Sequence, residues 1–237
     1  MLLFILRHGD PIYNPDSLTE KGHLQAAALA KRLALYGIDK IYSSPMIRAR
    51  ETARPTEILL NKKAEIEEWA SESALYKQYS IPVGEGSRWI FHGPERNLLR
   101  SPEVLKMGLK WYEHPLFDRI DGKGGYERIL KHSDEFLLRH GYRHDRENCR
   151  YIAENHNDER IAMFCHQGFG ISWLATMLDI PLPVIWAGFD YSHTGMTVVE
   201  FEPDSNGIVL PRVLTLSNDS HLYKEGLPTK YNNRIYF

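Results

Sequence analysis

Five consecutive apolar residues open the chain, Leu2 Leu3 Phe4 Ile5 Leu6, and run straight into Arg7 His8 Gly9. A run without alternation predicts a strand covered on both faces, as in a parallel sheet between helical layers. Sites in such sheets lie beyond the carboxyl ends of the strands, so Arg7 and His8 are expected at a functional corner, where Gly9, Asp10 and Pro11 turn the chain. The period then lengthens. Leu18 Thr19 Glu20 Lys21 Gly22 opens a helix with Thr19 as N-cap, Leu24, Ala27, Ala28, Leu29, Leu33 and Tyr36 as its apolar face, and Gly37 as its end. Residues 38–42 read as a second strand. Ser43 Ser44 Pro45 starts a second helix, with Pro45 in its first turn, Arg48 beside the strand ends and Pro55 as a kink or break. Strand, helix, strand, helix implies parallel strands.

Residues 63–69 read as a short strand at the edge of the sheet. From 70 to 125 the pattern degrades among glycines and prolines, and only 103–112 looks helical. This stretch reads as an insertion over the site, a possible lid, or equally as an irregular surface excursion. Apolar positions at helical spacing return over 127–140, so a second Arg139 His140 Gly141 is taken as a helix end, Gly141 capping it and His140 serving as a last-turn cation. Residues 151–154 and 160–165 suggest a hairpin feeding a central strand, Ile161 Ala162 Met163 Phe164 Cys165, which ends in His166 Gln167 Gly168. A helix over 171–178, broken by Pro181 and Pro183, and strands over 197–201 and 209–216 complete one domain, 1–237, without repeats or linkers.

Composition narrows the function. With 237 residues, 43% hydrophobic, 25% charged and a net charge of -2, the chain has no global bias toward nucleic acid or membrane. Cys149 and Cys165, the only cysteines, make no disulfide framework and no C-x-x-C pair. The opening apolar run is too short for a signal sequence or a membrane span, so a reducing, cytoplasmic setting is expected. Nothing in the chain speaks to oligomeric state.

Any strong positive potential must then be local. Two strand-end histidines, His8 and His166, and two arginines, Arg7 and Arg48, fall at one edge of the inferred sheet. Guanidinium forks match phosphoryl oxygens, and helix N-termini add backbone donors. Neighbouring cations keep an imidazole neutral, so His8 suits nucleophilic attack on phosphorus. Taken singly, each residue fits a solvated or structural role better, and it is their fall at one edge of one sheet that favours chemistry. Gly122 Lys123 Gly124 Gly125 lacks the spacing of a phosphate loop and reads as a turn, and His140, His144, His156 and Asp158 lack metal-ligand spacing and read as solvated surface. Arg88, Trp89, His92, Arg96 and Arg100 either contact the rest of a substrate or are surface charge.

These residues form a recognisable series. Arg7 His8 Gly9 with Asn14, then Leu18 Thr19 Glu20 Lys21 Gly22 and Gln25 Ala26, then Ser43 Ser44 Pro45 with Arg48 Ala49 and Thr52 Ala53, then Phe164 Cys165 His166 Gln167 Gly168, and finally Asn218 Asp219 Ser220 His221 Leu222, resemble the histidine phosphatase superfamily, in its phosphoglycerate mutase-like branch. The resemblance implies a three-layer α/β/α fold with a mixed, mostly parallel sheet. It further implies a metal-independent and cofactor-free phosphatase acting on a small phosphorylated substrate, with His8 phosphorylated in turnover. Arg7, Arg48, Asn14 and His166, with Gln167, would hold the phosphoryl oxygens. Gln167 stands where the family often has glycine, and the loop from Asp10 to Ser17 is shorter than in mutase-like members, which weighs against a phosphomutase. A non-catalytic phospho-ligand binding module is the other alternative. The proton donor is an acid after the third strand, where Glu67, Glu68 and Glu72 compete and Glu68 matches best by its position after Ile66.

Overall fold

The computed structural model describes residues 1–227. The opening run forms β1 (Leu2–Arg7), a hairpin of β2 (Pro11–Tyr13) and β3 (Asp16–Leu18) follows, and α1 (Glu20–Tyr36), β4 (Lys40–Ser43), α2 (Ile47–Leu60) and β5 (Ala64–Ile66) complete the first half of the main sheet. Next come α3 (Glu72–Tyr79), a hairpin of β6 (Ser80–Val83) and β7 (Gly86–Trp89), α4 (Pro102–Lys106) and the long α5 (Gly122–Arg139). The chain closes with β8 (Tyr142–Asp145), β9 (Arg150–Ala153), β10 (Arg160–Cys165), α6 (Gln167–Met177), α7 (Leu182–Gly188), β11 (Met196–Glu200), β12 (Ile208–Val209), β13 (Arg212–Asn218) and α8 (Ser220–Lys224).

The main sheet runs β13-β11-β1-β10-β4-β5, with β1, β10, β4 and β5 mutually parallel, β11 antiparallel to β1, and β13 antiparallel to β11 and so running in the direction of β1. It is the mixed, mostly parallel sheet expected. Its two faces explain the unbroken apolar run. Phe4 and Leu6 pack with Leu29 and Leu33 of α1 and Ala53 of α2, while Leu3 and Ile5 join the core that holds Ile129 and Phe136 of α5 and Phe169 and Trp173 of α6. Both side-chain rows of β1 are therefore removed from water, each large side chain stabilising by about 1.5–3 kcal/mol.

Several local expectations change. The buried stripe of α1 is rotated, leaving Leu24 52% exposed and burying Gln25, whose Oε1 accepts the Asp10 N–H at 2.8 Å. Pro45 precedes α2 rather than lying in its first turn, and α2 runs on through Pro55. Ala49, Thr52, Ala53 and Thr56 are buried along one face of that helix, and this packing outweighs the single backbone bond that proline removes. The inferred hairpin of 151–154 with 160–165 does not exist. β9 pairs instead with β8 and β12 in a small separate sheet, and β10 lies between β1 and β4. Gly122 to Gly125 is the first turn of α5, capped by Asp121 through the Gly124 N–H, and Pro183 helps start α7. The stretch 70–125 sends Leu75, Tyr79, Ile81, Ile90, Phe91, Trp111 and Phe117 into the same core as α5 and α6.

The histidines read as solvated surface are not all on the surface. His140 is buried, with Glu159 3.4 Å from Nδ1, and burial lowers its pKa, so it is no last-turn cation. His144 lies with its side chain fully buried between Asp134 (3.2 Å) and Asp179 (2.9 Å), stacked on Tyr151, while Arg146 pairs with both carboxylates. Burial pushes its pKa down, but the bonds to Asp134 and Asp179 outweigh that, and the net shift is upward from 6.5. The charged imidazole therefore stabilises the fold fully below pH 6.5 and ceases to do so as pH rises through its higher folded pKa. His144→Gln should cost about 3 kcal/mol at pH near 6. The gap between variant and native unfolding free energies should narrow at alkaline pH, as read by denaturant titration; a gap independent of pH would refute the charged state.

Candidate active site

Register assembles the site. Parallel pairing places Arg7 opposite Cys165 and Phe164 opposite Ser43, so the three strands deliver His8, His166 and Ser44 side by side just beyond their carboxyl ends. The His8 N–H donates to the Cys165 carbonyl at 2.9 Å, and the rings of His8 and His166 lie 5.2 Å apart between centroids. Gly9 then passes α1 so closely that a Cβ there would sit 2.7 Å from the Gly22 carbonyl oxygen. Only glycine allows this approach. The Gly9 N–H donates to Thr52 Oγ1 (3.0 Å), whose hydroxyl donates to the Arg48 carbonyl (2.7 Å), tying the corner to α2.

The other side of the corner is held from the C-terminal half. The Thr194 N–H reaches the carbonyls of both Arg7 and His8, at 3.1 and 3.2 Å. Thr194 adopts φ 57°, costly for a β-branched residue, and its hydroxyl lies 3.0 Å from Nε2 of buried His221. The Asn218 to Leu222 motif thus acts through Thr194, behind the reacting groups.

His8 Nδ1 lies 2.7 Å from the Gly9 carbonyl. A carbonyl accepts only, so Nδ1 carries the proton and Nε2 keeps its lone pair. Burial, then His166 and Arg7, push the His8 pKa well below 6.5 and keep the ring neutral. His166 is likewise held neutral by burial and by Arg48 and Arg7. Ser44 Oγ accepts the Met46 N–H and lies 2.8 Å from His166 Nε2. Among the described residues His166 Nδ1, Arg7 Nε and Arg48 Nε are buried without a partner. Two guanidiniums and an imidazole at one corner suit an oxyanion.

Carboxylates occupy the helix N-termini that the sequence reading assigned to phosphoryl oxygens. Asp16 accepts the Ile47 N–H of α2 (2.7 Å) and pairs with Arg48 Nη1 (2.7 Å), and Glu72 accepts the Gly168 and Phe169 N–H groups of α6 at 3.0 and 2.9 Å. Of the three candidate acids, only Glu72 lines the cavity. Glu68 is exposed on the 3-10 turn 68–70, which sends Trp69 and Ala70 inward and leaves Glu68 outside, and Glu67 spends both oxygens on Trp69 Nε1 and Arg139. Burial raises the Glu72 pKa against the opposing pull of the two amides and of Arg48 and Arg7. Asn14 sits exposed at the β2–β3 turn and does not line the cavity, whereas Gln167 does, bonded to Asp190 at 2.5 Å.

The cavity, about 1530 Å³, extends outward from Arg7, His8, Arg48 and Glu72 to an outer wall of Tyr76, Trp89, Phe91, Trp186 and Phe189. Lys77 and Arg96 add positive groups there and His92 an imidazole whose pKa burial lowers from 6.5, while Arg88, paired with Glu95, and Arg100 lie off its lining. His193, absent from the sequence reading, also lines it, with Nδ1 3.3 Å from Asp10 and its ring 5.8 Å from that of His8. No local pattern marks His193, because the loop between α7 and β11 brings it in. Among the described residues no cluster of three or more His, Cys, Asp or Glu is arranged to hold a metal, and no helix is long and apolar enough to cross a membrane.

Known proteins agree with this picture. Residues 3–75 match the family model of the histidine phosphatase superfamily (branch 1). Phosphoserine phosphatase 1 of Hydrogenobacter thermophilus is 24% identical, over 87% of this chain and 90% of that protein. Among solved structures, phosphoserine phosphatase from Entamoeba histolytica in complex with 3-phosphoglyceric acid superposes with a TM-score of 0.58 at 22% identity, covering 93% of this chain and 98% of that one. A mycobacterial glucosyl-3-phosphoglycerate phosphatase gives 0.58 at 17% identity, covering 91% and 98%. These structural likenesses speak for the fold, and the matched opening segment, which carries the corner at Arg7 and His8, is similar to the histidine phosphatase superfamily.

Proposed function

We propose that the protein is a phosphatase that hydrolyses small phosphomonoesters through a phosphohistidine at His8. The observation that carries this is the tautomer of His8, neutral, with Nδ1–H on the Gly9 carbonyl and Nε2 left to attack beside two arginines. Nε2 forms the bond to phosphorus as the ester oxygen leaves with its electron pair and takes the proton of Glu72. Water then attacks phosphorus, the N–P bond breaks back to neutral His8, and Glu72 recovers a proton from that water. Arg7, Arg48 and His166 stabilise the charge that develops on the equatorial oxygens. The arginines supply the charge that magnesium provides elsewhere, so no metal is needed. Residues 70–125, together with Trp186 and Phe189, form the outer wall that reads the rest of the substrate. The two unpaired cysteines fit a cytoplasmic setting. A binding module or a phosphomutase shares the pocket but has less support, since the named relatives are phosphatases.

Rapid quench with labelled substrate should trap an acid-labile phosphoenzyme that His8→Ala cannot form. Its absence from the native protein during turnover would overturn the mechanism. Glu72→Gln should slow an alkyl phosphate by about 10²–10⁴-fold and para-nitrophenyl phosphate far less, because the phenolate leaves unaided. Glu68→Gln should change neither, and the reverse pattern would move the acid back to Glu68.

Chelators should leave the rate unchanged, and a strict requirement for added magnesium would contradict the role given to the arginines. Converting Lys77 and Arg96 together to Ala should lower kcat/KM about tenfold for phosphomonoesters that carry a second anionic group and little for an uncharged aryl phosphate. A uniform loss across both substrates would argue against charge reading by the outer wall.

A further inference from the structure

The N-terminus of α6 is shared by two side chains from different elements. A Cβ built on Gly168 would lie 2.7 and 2.8 Å from Cη2 and Cζ2 of Trp89 and 2.9 Å from Oε1 of Glu72. The indole edge and the carboxylate thus converge on one point, which only glycine leaves open. Trp89 is itself held on several sides: Tyr76, one turn after Glu72 on α3, meets it edge-on (5.1 Å, 85°), and Phe91 stacks against it (5.0 Å, 25°) and passes the contact on to Trp186 (5.4 Å). The Tyr76 hydroxyl donates to the Ser87 carbonyl, fixing the β6–β7 hairpin to the helix that carries Glu72.

We propose that Trp89 is a positioning residue for the general acid: its indole closes the space beside the Glu72 carboxyl, keeps water from it, and so holds it in the protonated form that the leaving alcohol needs. This rests on the assignment of Glu72 as the acid. The physics is a contest. Two amide donors and the helix N-terminus favour the carboxylate, as do Arg7 from β1 and Arg48 from α2, whereas exclusion of water favours the neutral acid, and burial is the largest influence on Glu72. The remaining groups that bear on it are the Cys165 thiol on β10, itself kept protonated by burial, and Lys77, which lines the same cavity from α3. Neither a neutral thiol nor a lysine cation raises the pKa of a carboxyl, which leaves the exclusion of water to do so. The hairpin in the insertion therefore serves the chemical step as well as substrate choice. Without Trp89 the carboxyl would face water and still hold its two amide donors, and it would ionise at lower pH.

The test is the pH dependence of kcat/KM for glycerol phosphate, an alkyl ester, with para-nitrophenyl phosphate as the substrate that needs no acid. In Trp89→Ala the alkaline limb for the alkyl ester should move down by about one pH unit, with about a tenfold loss at neutral pH and a much smaller loss for the aryl ester. Trp89→Phe, which keeps a ring against Gly168, should restore most of the limb. Should the Ala variant fail to fold, Trp89→Leu is read in its place. A limb at the native position in folded Trp89→Ala or Trp89→Leu, or an equal loss for both esters, would overturn the proposal. Glu72→Gln separates the two readings. If it abolishes the limb while the Trp89 variants leave the limb in place, only the role of Trp89 falls. If the limb survives in Glu72→Gln, the acid assignment falls and the proposal falls with it.

Discussion

One hydrogen bond, from Nδ1 of His8 to the carbonyl of the next residue, governs the rest of the site. It selects the tautomer, and it requires the chain to turn at once after His8 so that the Gly9 carbonyl points back at the ring. That turn is possible only because Gly9 and Gly22 let the loop and α1 touch backbone to backbone. It is held from α1 by Gln25, from α2 by Thr52 and from the far end of the chain by Thr194. The buried polar residues around the corner, which would each be costly unpaired, are there to fix one imidazole.

Much of this was legible in the sequence for a physical reason. A strand buried on both faces leaves an unbroken apolar signature, and β1 and β10 both carry it, so their ends and the residues on them, Arg7, His8 and His166, could be placed without coordinates. Thr19 and Gly37 delimit α1 because capping is local chemistry. What failed depends on contacts distant in sequence. Glu72 is an ordinary first-turn acid until α6 presents two amides to it, and Glu68, which matches best by its position after Ile66, is faced outward by the 3-10 turn. The pairing of β9 with β8 was hidden because a short strand shows no preference for one neighbour over another. Asn14 belongs to the motif, yet its place on the β2–β3 hairpin depends on where Asp16 anchors.

The stretch 70–125 illustrates the same limit. Its glycines and prolines conceal a segment whose large side chains lie in the main core, because irregular backbone can bury aromatic rings without periodicity. Trp111 of this stretch packs edge to face against Trp186 of α7, and Trp89 carries that aromatic cluster out to the cavity.

The ion pair between Asp16 and Arg48 has a further consequence. A guanidinium that already has a carboxylate on one Nη is not an open receptor. An arriving oxyanion must share that fork or displace the carboxylate, and a departing one is followed by the same carboxylate returning. Binding at this corner is therefore an exchange of one anion for another. Exchange weakens the grip on any such anion, and it lets the anion leave a pocket whose charge would otherwise retain it.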